Sequence, residues 1–233
     1  MGKSIAVITA RGGSKRIPKK NIKEFCGKPI IAYSIEAALK SEQFDEVMVS
    51  TDSDEIADIA KRYGASVPFM RSETTSGDYA TTEDVLIEVI NEYKKRGSEF
   101  DFVCCLYPTA PFISAGKVKK AMELMVSNGP AQIIPVVRFS YPPQRGFVID
   151  DEGFVKFKYP QYITTRSQDL EPLYHDVGQF YVYDVKKLIM NNGIIEDGML
   201  PMELSELEVQ DIDNETDWKL AELKYKFMQE NMI

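Results

Sequence analysis

A short, continuously apolar, β-branched run, Ser4 to Ala10, stops at a glycine-rich turn near the start of the chain. This is how a strand buried on both faces of a parallel sheet reads, because neither face calls for polar residues. Pro29 then leads a segment, Ile30 to Lys40, in which Ile31, Ile35, Ala38 and Leu39 recur at helical spacing. Proline is tolerated in a first helical turn, so a helix is expected there. The exchange repeats with a strand at Glu46 to Thr51, a helix at Asp54 to Tyr63, a strand at Val67 to Phe69 and a helix at Thr82 to Lys95. It continues with a strand at Phe102 to Leu106, a helix at Ala115 to Ser127 and a strand at Ile133 to Arg138. Such an order predicts an α/β fold: a mostly parallel, Rossmann-like sheet with right-handed crossovers, helices on both faces, and ligands outside the carboxyl ends of the strands.

Past Arg138 the pattern changes. Phe147 to Ile149 and Phe154 to Phe157 flank Asp150-Asp151-Glu152-Gly153, the signature of a β-hairpin. A small hairpin-bearing insertion over residues 140–175 is therefore expected within a single domain spanning 1–233. The sheet should resume at Gln179 to Tyr183, and the last helix should cover about Glu215 to Gln229. With 44% hydrophobic and 27% charged residues, the chain has the composition of a globular protein rather than a disordered one.

The net charge of −8 argues against a nucleic-acid partner, which calls for a basic face. The local balance is opposite. Arg11, Lys15, Arg16, Lys19, Lys20 and Lys23 fall in a stretch with no acidic residue, which invites an anionic ligand. Cys26, Cys104 and Cys105 lack metal-ligand or redox spacing, which suits a reducing cytoplasm. No apolar run approaches the roughly 18 residues of a membrane span, so no membrane partner is expected.

Arg11-Gly12-Gly13-Ser14-Lys15-Arg16 lies where the first strand ends. Adjacent glycines there can turn N–H groups toward a phosphate, while Arg11 and Lys15 supply charge. A solvated turn with ordinary surface lysines fits the same residues. The spacing is neither that of a P-loop nor that of the dinucleotide fingerprint. Near the other end, Val209-Gln210-Asp211-Ile212-Asp213 places two aspartates at i and i+2, on one face of an extended segment. A cation between them would relieve their repulsion, and Mg2+ is held by one or two carboxylates plus substrate phosphates. Alternatively, Asp213 or Asn214 caps the last helix.

Arg71 and the stretch Asp78 to Asp84 offer hydroxyls and backbone groups where a helix starts, and Thr81 or Thr82 also suits an N-cap. Tyr107-Pro108-Thr109-Ala110-Pro111 follows a strand and is stiffened by two prolines. His175, the sole histidine, precedes Asp176, which is placed to orient it; one histidine without a nucleophile makes no triad.

Together, Ala-Arg-Gly-Gly-Ser-Lys-Arg-Ile-Pro-Lys-Lys-Asn (10–21), Val-Ser-Thr-Asp (49–52), Pro-Thr-Ala-Pro (108–111) and Asp-Ile-Asp (211–213) resemble the CMP-sialic acid synthetase family. The segments at 165–170, 173–176 and 207–213 look most like its pseudaminic acid cytidylyltransferase branch. The resemblance implies a nucleotidyltransferase fold, a homodimer reached by the hairpin insertion, and substrates CTP and a nine-carbon acidic sugar. It implies nucleotide and phosphate contacts at Arg11, Gly12, Gly13, Ser14, Lys15, Lys20 and Asn21, and a cytosine pocket at Arg71, Ala80 and Thr82. Asp211 and Asp213 match its Mg2+ ligands, with Arg11, Lys15, Lys20 and Asp211 in the catalytic role. Tyr107, Arg166, His175 and Asp176 match its sugar side, with Arg166 suited to the sugar carboxylate. The better-known sialic acid synthetases carry Gln in place of Tyr107 and Asn in place of Val177, so the sugar is the open question. N-acetylneuraminate, legionaminate, the eight-carbon acid of lipopolysaccharide cores and an inactive nucleotide-binding module are the competing readings.

Overall fold

The computed structural model describes residues 2–231. The first half of the chain forms β1 (Ser4–Thr9), β2 (Glu24–Phe25), β3 (Lys28–Pro29), α1 (Ile31–Ser41), β4 (Glu46–Ser50), α2 (Asp54–Arg62), α3 (Glu73–Ser76), α4 (Thr82–Lys95) and β5 (Phe102–Leu106). The second half forms α5 (Ala115–Asn128), β6 (Gln132–Arg138), β7 (Phe147–Ile149), β8 (Val155–Phe157), β9 (Tyr174–Asp176), β10 (Phe180–Asp184), α6 (Val185–Met190), β11 (Met199–Glu203) and α7 (Glu215–Asn231).

Among the described residues the main sheet runs β11-β6-β10-β5-β1-β4, with β9 also paired to β6. Strand β1 is parallel to β4 and β5, and β11 to β6. Strand β10 runs antiparallel to β5 and β6, and β9 antiparallel to β6. The chain passes from β1 to β4 on one side and returns to β5 on the other, which makes the β1/β5 boundary a switch point where ligands bind in open α/β sheets.

Side chains alternate between the faces, as the two-residue period of a strand requires. Ala6, Ile8, Cys104, Leu106, Phe180 and Val182 join one core, which α1, α2 and α5 cover with Ile31, Ile35, Ile59, Val118 and Met122. Ile5, Val7, Val103, Cys105, Tyr181 and Tyr183 face the other, closed by Leu86, Val89, Ile90 and Leu188 of α4 and α6. The adjacent cysteines thus point in opposite directions, fully buried and free, and burial pushes the Cys105 thiol up to about 12.

A third core joins the two ends of the chain. Ile17, Phe25 and Ile30 pack with Ile212, Trp218 and Ala221, so α7 lies over the segment that follows β1. Phe25 meets the rings of Tyr33 and Trp218 edge-on, each at 5.6 Å.

Two expectations change. Val67 to Phe69 is not a strand: Ser66 alone bridges Met48, and Pro68 has no N–H with which to extend the ladder. The expected interruption at 140–175 is present as the separate β7–β8 hairpin, but Tyr174–Asp176 rejoins the main sheet as β9. The hairpin exposes Phe147, Ile149, Phe154 and Val155 by 58%, 73%, 65% and 61%, an apolar surface that the rest of the chain leaves uncovered. No helix among the described residues is long and apolar enough to cross a membrane.

Candidate active site

The parallel strands β4, β1 and β5 end side by side, with Thr9 opposite Ser50 and Ile8 opposite Leu106. Because β10 is antiparallel, it begins at this same edge, Phe180 opposite Leu106. A cleft of about 600 Å3 opens there. Arg11, Ser14, Lys15, Lys20 and Asn21 line it from the segment after β1, Arg71, Ala80 and Thr82 from the α3–α4 side, and Tyr107 and Asp213 from the remaining sides.

The loop after β1 is held by buried contacts that leave its cations at the surface. Ile17 is 1% exposed and anchors the loop in the third core, between the solvent-facing Arg16 and Pro18. Buried Asn21 donates from Nδ2 to the Arg11 carbonyl at 2.8 Å, fixing the backbone at the strand end. Gly12 does not turn its N–H toward the cleft. The Gly12 N–H donates to Asp52 Oδ1 at 2.7 Å, and a Cβ there would stand 3.2 Å from the Ser53 Cβ. Gly12 therefore allows the loop to lie close over the end of β4, and neither Gly12 nor Gly13 lines the cleft.

The Asp211 to Asp213 segment arrives from the far end of the chain. Ile212 is buried beside Ile17 in the third core, which leaves the flanking aspartates outside. Lys20 Nζ donates to the Ile212 carbonyl at 2.7 Å, and Arg16 Nη1 pairs with Asp213 Oδ2 at 2.8 Å. Desolvation holds the Lys20 ammonium below the ordinary lysine range despite Asp213 and Asp211 nearby. The Asp211 carboxyl is held above the usual carboxylate range, by partial desolvation first and the charge of Asp213 second. Helix capping is done by a neighbour: Asn214 Oδ1 accepts from the Thr216 and Asp217 amides at 2.8 and 3.1 Å. The Asp213 carboxylate is thus not used as the cap, and the pair fits a hard cation that also takes oxygens from a ligand. Among the described residues no cluster of three or more His, Cys, Asp or Glu has that geometry, so such an ion would need those ligand oxygens.

The opposite wall is equally tied down. Arg71, 8% exposed, donates from Nε to Ser50 Oγ at 3.0 Å and from Nη2 to the Ser50 carbonyl at 2.7 Å, so its guanidinium is fixed against the end of β4. Glu88 of α4 holds α3 by accepting from Ser72 Oγ and Thr75 Oγ1 at 2.7 and 2.5 Å. Thr81 caps α4 in a reciprocal box with Asp84, which frees Thr82 to bond the Tyr107 hydroxyl at 3.0 Å. Tyr107 in turn meets Tyr181 edge-on at 5.7 Å.

Three of the expected sugar-side residues do not line this cleft. Arg166 sits in the insertion, paired with Asp169 at 2.7 Å and largely exposed. His175 and Asp176 lie on β9, and the Asp176 carboxylate does not orient the imidazole. It accepts instead from the Gly178 amide at 2.8 Å and the Tyr181 hydroxyl at 2.6 Å, while His175 Nδ1 contacts the Asp176 carbonyl. Asp176 thereby reaches the cleft indirectly, through the Tyr181 ring against Tyr107. Sequence reading gave Arg16 only a place in the basic run and left Asp52 and Asp78 without individual roles. Arg16 and Asp78 line the cleft, and Asp52 fixes its loop. Their positions inside the basic run, the Val-Ser-Thr-Asp stretch and the segment after Arg71 were the signals available.

Comparisons with known proteins identify the family. The sequence model of a family described as cytidylyltransferase matches residues 5–174. Pseudaminic acid cytidylyltransferase of Campylobacter jejuni subsp. jejuni is 39% identical over 229 residues, covering 98% of this chain and 99% of that protein. CMP-N,N'-diacetyllegionaminic acid synthase of Legionella pneumophila subsp. pneumophila is 36% identical over 237 residues, with 98% and 99% covered. A solved structure of CMP:2-keto-3-deoxy-manno-octonic acid synthetase complexed with CTP superposes with a TM-score of 0.70 at 20% identity over 98% of this chain and 99% of that one, a likeness of fold. The match over most of the chain and the basic cleft at the sheet's switch point lead to one assignment: the chain belongs to the cytidylyltransferase family.

Proposed function

We propose that this cytidylyltransferase transfers CMP from CTP to a nine-carbon sugar acid, with pseudaminic acid the favoured substrate. The observation that carries the reading is that Arg11, Lys15, Lys20 and Asp213 line one cleft, brought together by a third core that packs Ile17 against Ile212; Asp211 does not line the cleft but lies near Lys20. The sugar's anomeric oxygen would bond to the α-phosphorus as the bond to the bridging oxygen breaks, the hydroxyl proton passes to solvent water, and pyrophosphate leaves with the electron pair. Arg11 and Lys15 would neutralise the departing pyrophosphate, and Lys20, fixed by the Ile212 carbonyl, would stand between the phosphates and the carboxylates. Arg71, Ala80 and Thr82 would receive the cytosine from the opposite wall. Mg2+ held by Asp211 and Asp213 would supply charge neutralisation on the phosphate oxygens. Arg166 lies outside the cleft of its own chain, so it would hold the sugar carboxylate, a task for which a guanidinium fork is suited, by reaching the cleft of a dimer partner through the insertion.

The choice of sugar rests on the Campylobacter jejuni relative, and the legionaminate reading is supported by the Legionella relative at 36% identity. We place the dimer interface on the exposed apolar hairpin of the insertion. Pyrophosphate release from CTP with pseudaminate, legionaminate, N-acetylneuraminate and the eight-carbon acid decides among them. Fastest turnover is expected with pseudaminate, and release with none of the four would remove the proposal.

A further inference from the structure

Asp78 stands directly over the phosphate loop. Arg11 Nη1 donates to Asp78 Oδ1 at 2.9 Å and to the Gly77 carbonyl at 3.3 Å, and Lys15 Nζ donates to Asp78 Oδ2 at 2.5 Å. Each carboxylate oxygen therefore serves one cation. Lys15 and Arg11 together hold the Asp78 carboxyl below the usual carboxylate range, so it is an anion at neutral pH. Two oxygens of one anion shared between an arginine and a lysine is also how a phosphate binds such a pair.

We infer that Asp78 competes with the phosphates of the nucleotide for Arg11 and Lys15, and that this competition sorts ligands by negative charge. The inference rests on reading Arg11 and Lys15 as phosphate contacts. A triphosphate brings several charges and outcompetes a single carboxylate. A CMP-sugar, whose one phosphate group carries a single negative charge, does so far less well, and its release is favoured. The local structure confines the exchange to a few residues. Before Asp78, α3 is fixed to Glu88; after it, Thr81 is fixed in its capping box; between them Tyr79 is fully exposed. The exchange therefore needs only the short stretch from Gly77 to Tyr79, between these two fixed points, to shift.

Calorimetric titration of wild type, Asp78→Asn and Asp78→Glu with CTP, inorganic pyrophosphate and cytidine tests this. Asparagine keeps the shape and removes the charge, so CTP and pyrophosphate should bind about fivefold tighter, the upper range for exposed ion pairs. The gap from wild type should shrink as salt is added, because exposed charges are screened. Cytidine, which has no phosphate, should bind all three proteins alike, and Asp78→Glu should stay close to wild type. Unchanged or weaker CTP binding by Asp78→Asn overturns the inference. A parallel loss of cytidine binding overturns it as well, because Asp78 would then be a prop of the base pocket. Wild type that binds neither CTP nor pyrophosphate would instead sink the phosphate reading beneath it.

Discussion

Around Arg11, buried groups hold polar ones in place: Ile17 is sunk in a core, Asn21 grips a backbone carbonyl, and Arg71 is clamped to Ser50. Between Ser140 and Leu173 the reverse holds, since Leu170 is the buried residue of a segment in which Phe147, Ile149, Phe154 and Ile163 face outward. The first region is complete within one chain. The second presents the kind of surface that a partner covers. Under the proposed roles, the nucleotide end would be held by the chain's own packing while the sugar end would depend on assembly.

The largest test of that division is Asp211→Ala. Turnover should fall about 100-fold or more, the scale for losing an electrostatic group at a reacting phosphate. Thermal unfolding should be little changed, since Asp211 faces outward; near-normal Mg2+-dependent turnover would remove the carboxylate from the nucleotide end. Next is Arg166→Ala, expected to raise the KM of the sugar acid about tenfold, the size of one charged contact, with that of CTP nearly unmoved. Equal changes in both KM values would erase the boundary between the two regions.

Ile149→Asp should weaken the proposed dimer while leaving CTP binding intact, measured by sedimentation and titration. A monomeric variant that also loses CTP would show that the cleft itself needs the partner. Lys20 provides a pH test. Its depressed pKa means that the ammonium loses its proton at lower pH than an exposed lysine does. The alkaline limb of kcat/KM, which reports the free enzyme, should therefore begin below the ordinary lysine value of 10.5, and Lys20→Arg should move it upward. The smallest effect is Thr81→Ala, which should cost about 1 kcal/mol of stability through the lost cap, read from denaturant unfolding.

Much of the nucleotide end was legible from sequence because it is written in local runs. The helix at Thr82–Lys95 and the strand at Phe102–Leu106 appear with the bounds that periodicity implies. Strand β10 was placed, but its direction was not foreseen, because a strand buried on both faces reads alike either way. Strand β11 was missed: Pro201 interrupts it, and only its place at the sheet edge makes that acceptable. Asp52 and Asp78 were unassigned because their partners lie 40 to 67 residues away, beyond any spacing rule. Arg166 was placed by resemblance alone, and its local partner Asp169 gives no sign of a ligand.

The bond from Lys20 to the Ile212 carbonyl spans 192 residues. Contacts so distant along the chain are costly in entropy to close and form late. Upon refolding, the sheet can regain its strands before Asp211 and Asp213 have anything to face. Catalytic competence would then lag the return of secondary structure, and a half-folded chain would be unable to turn over CTP to no purpose.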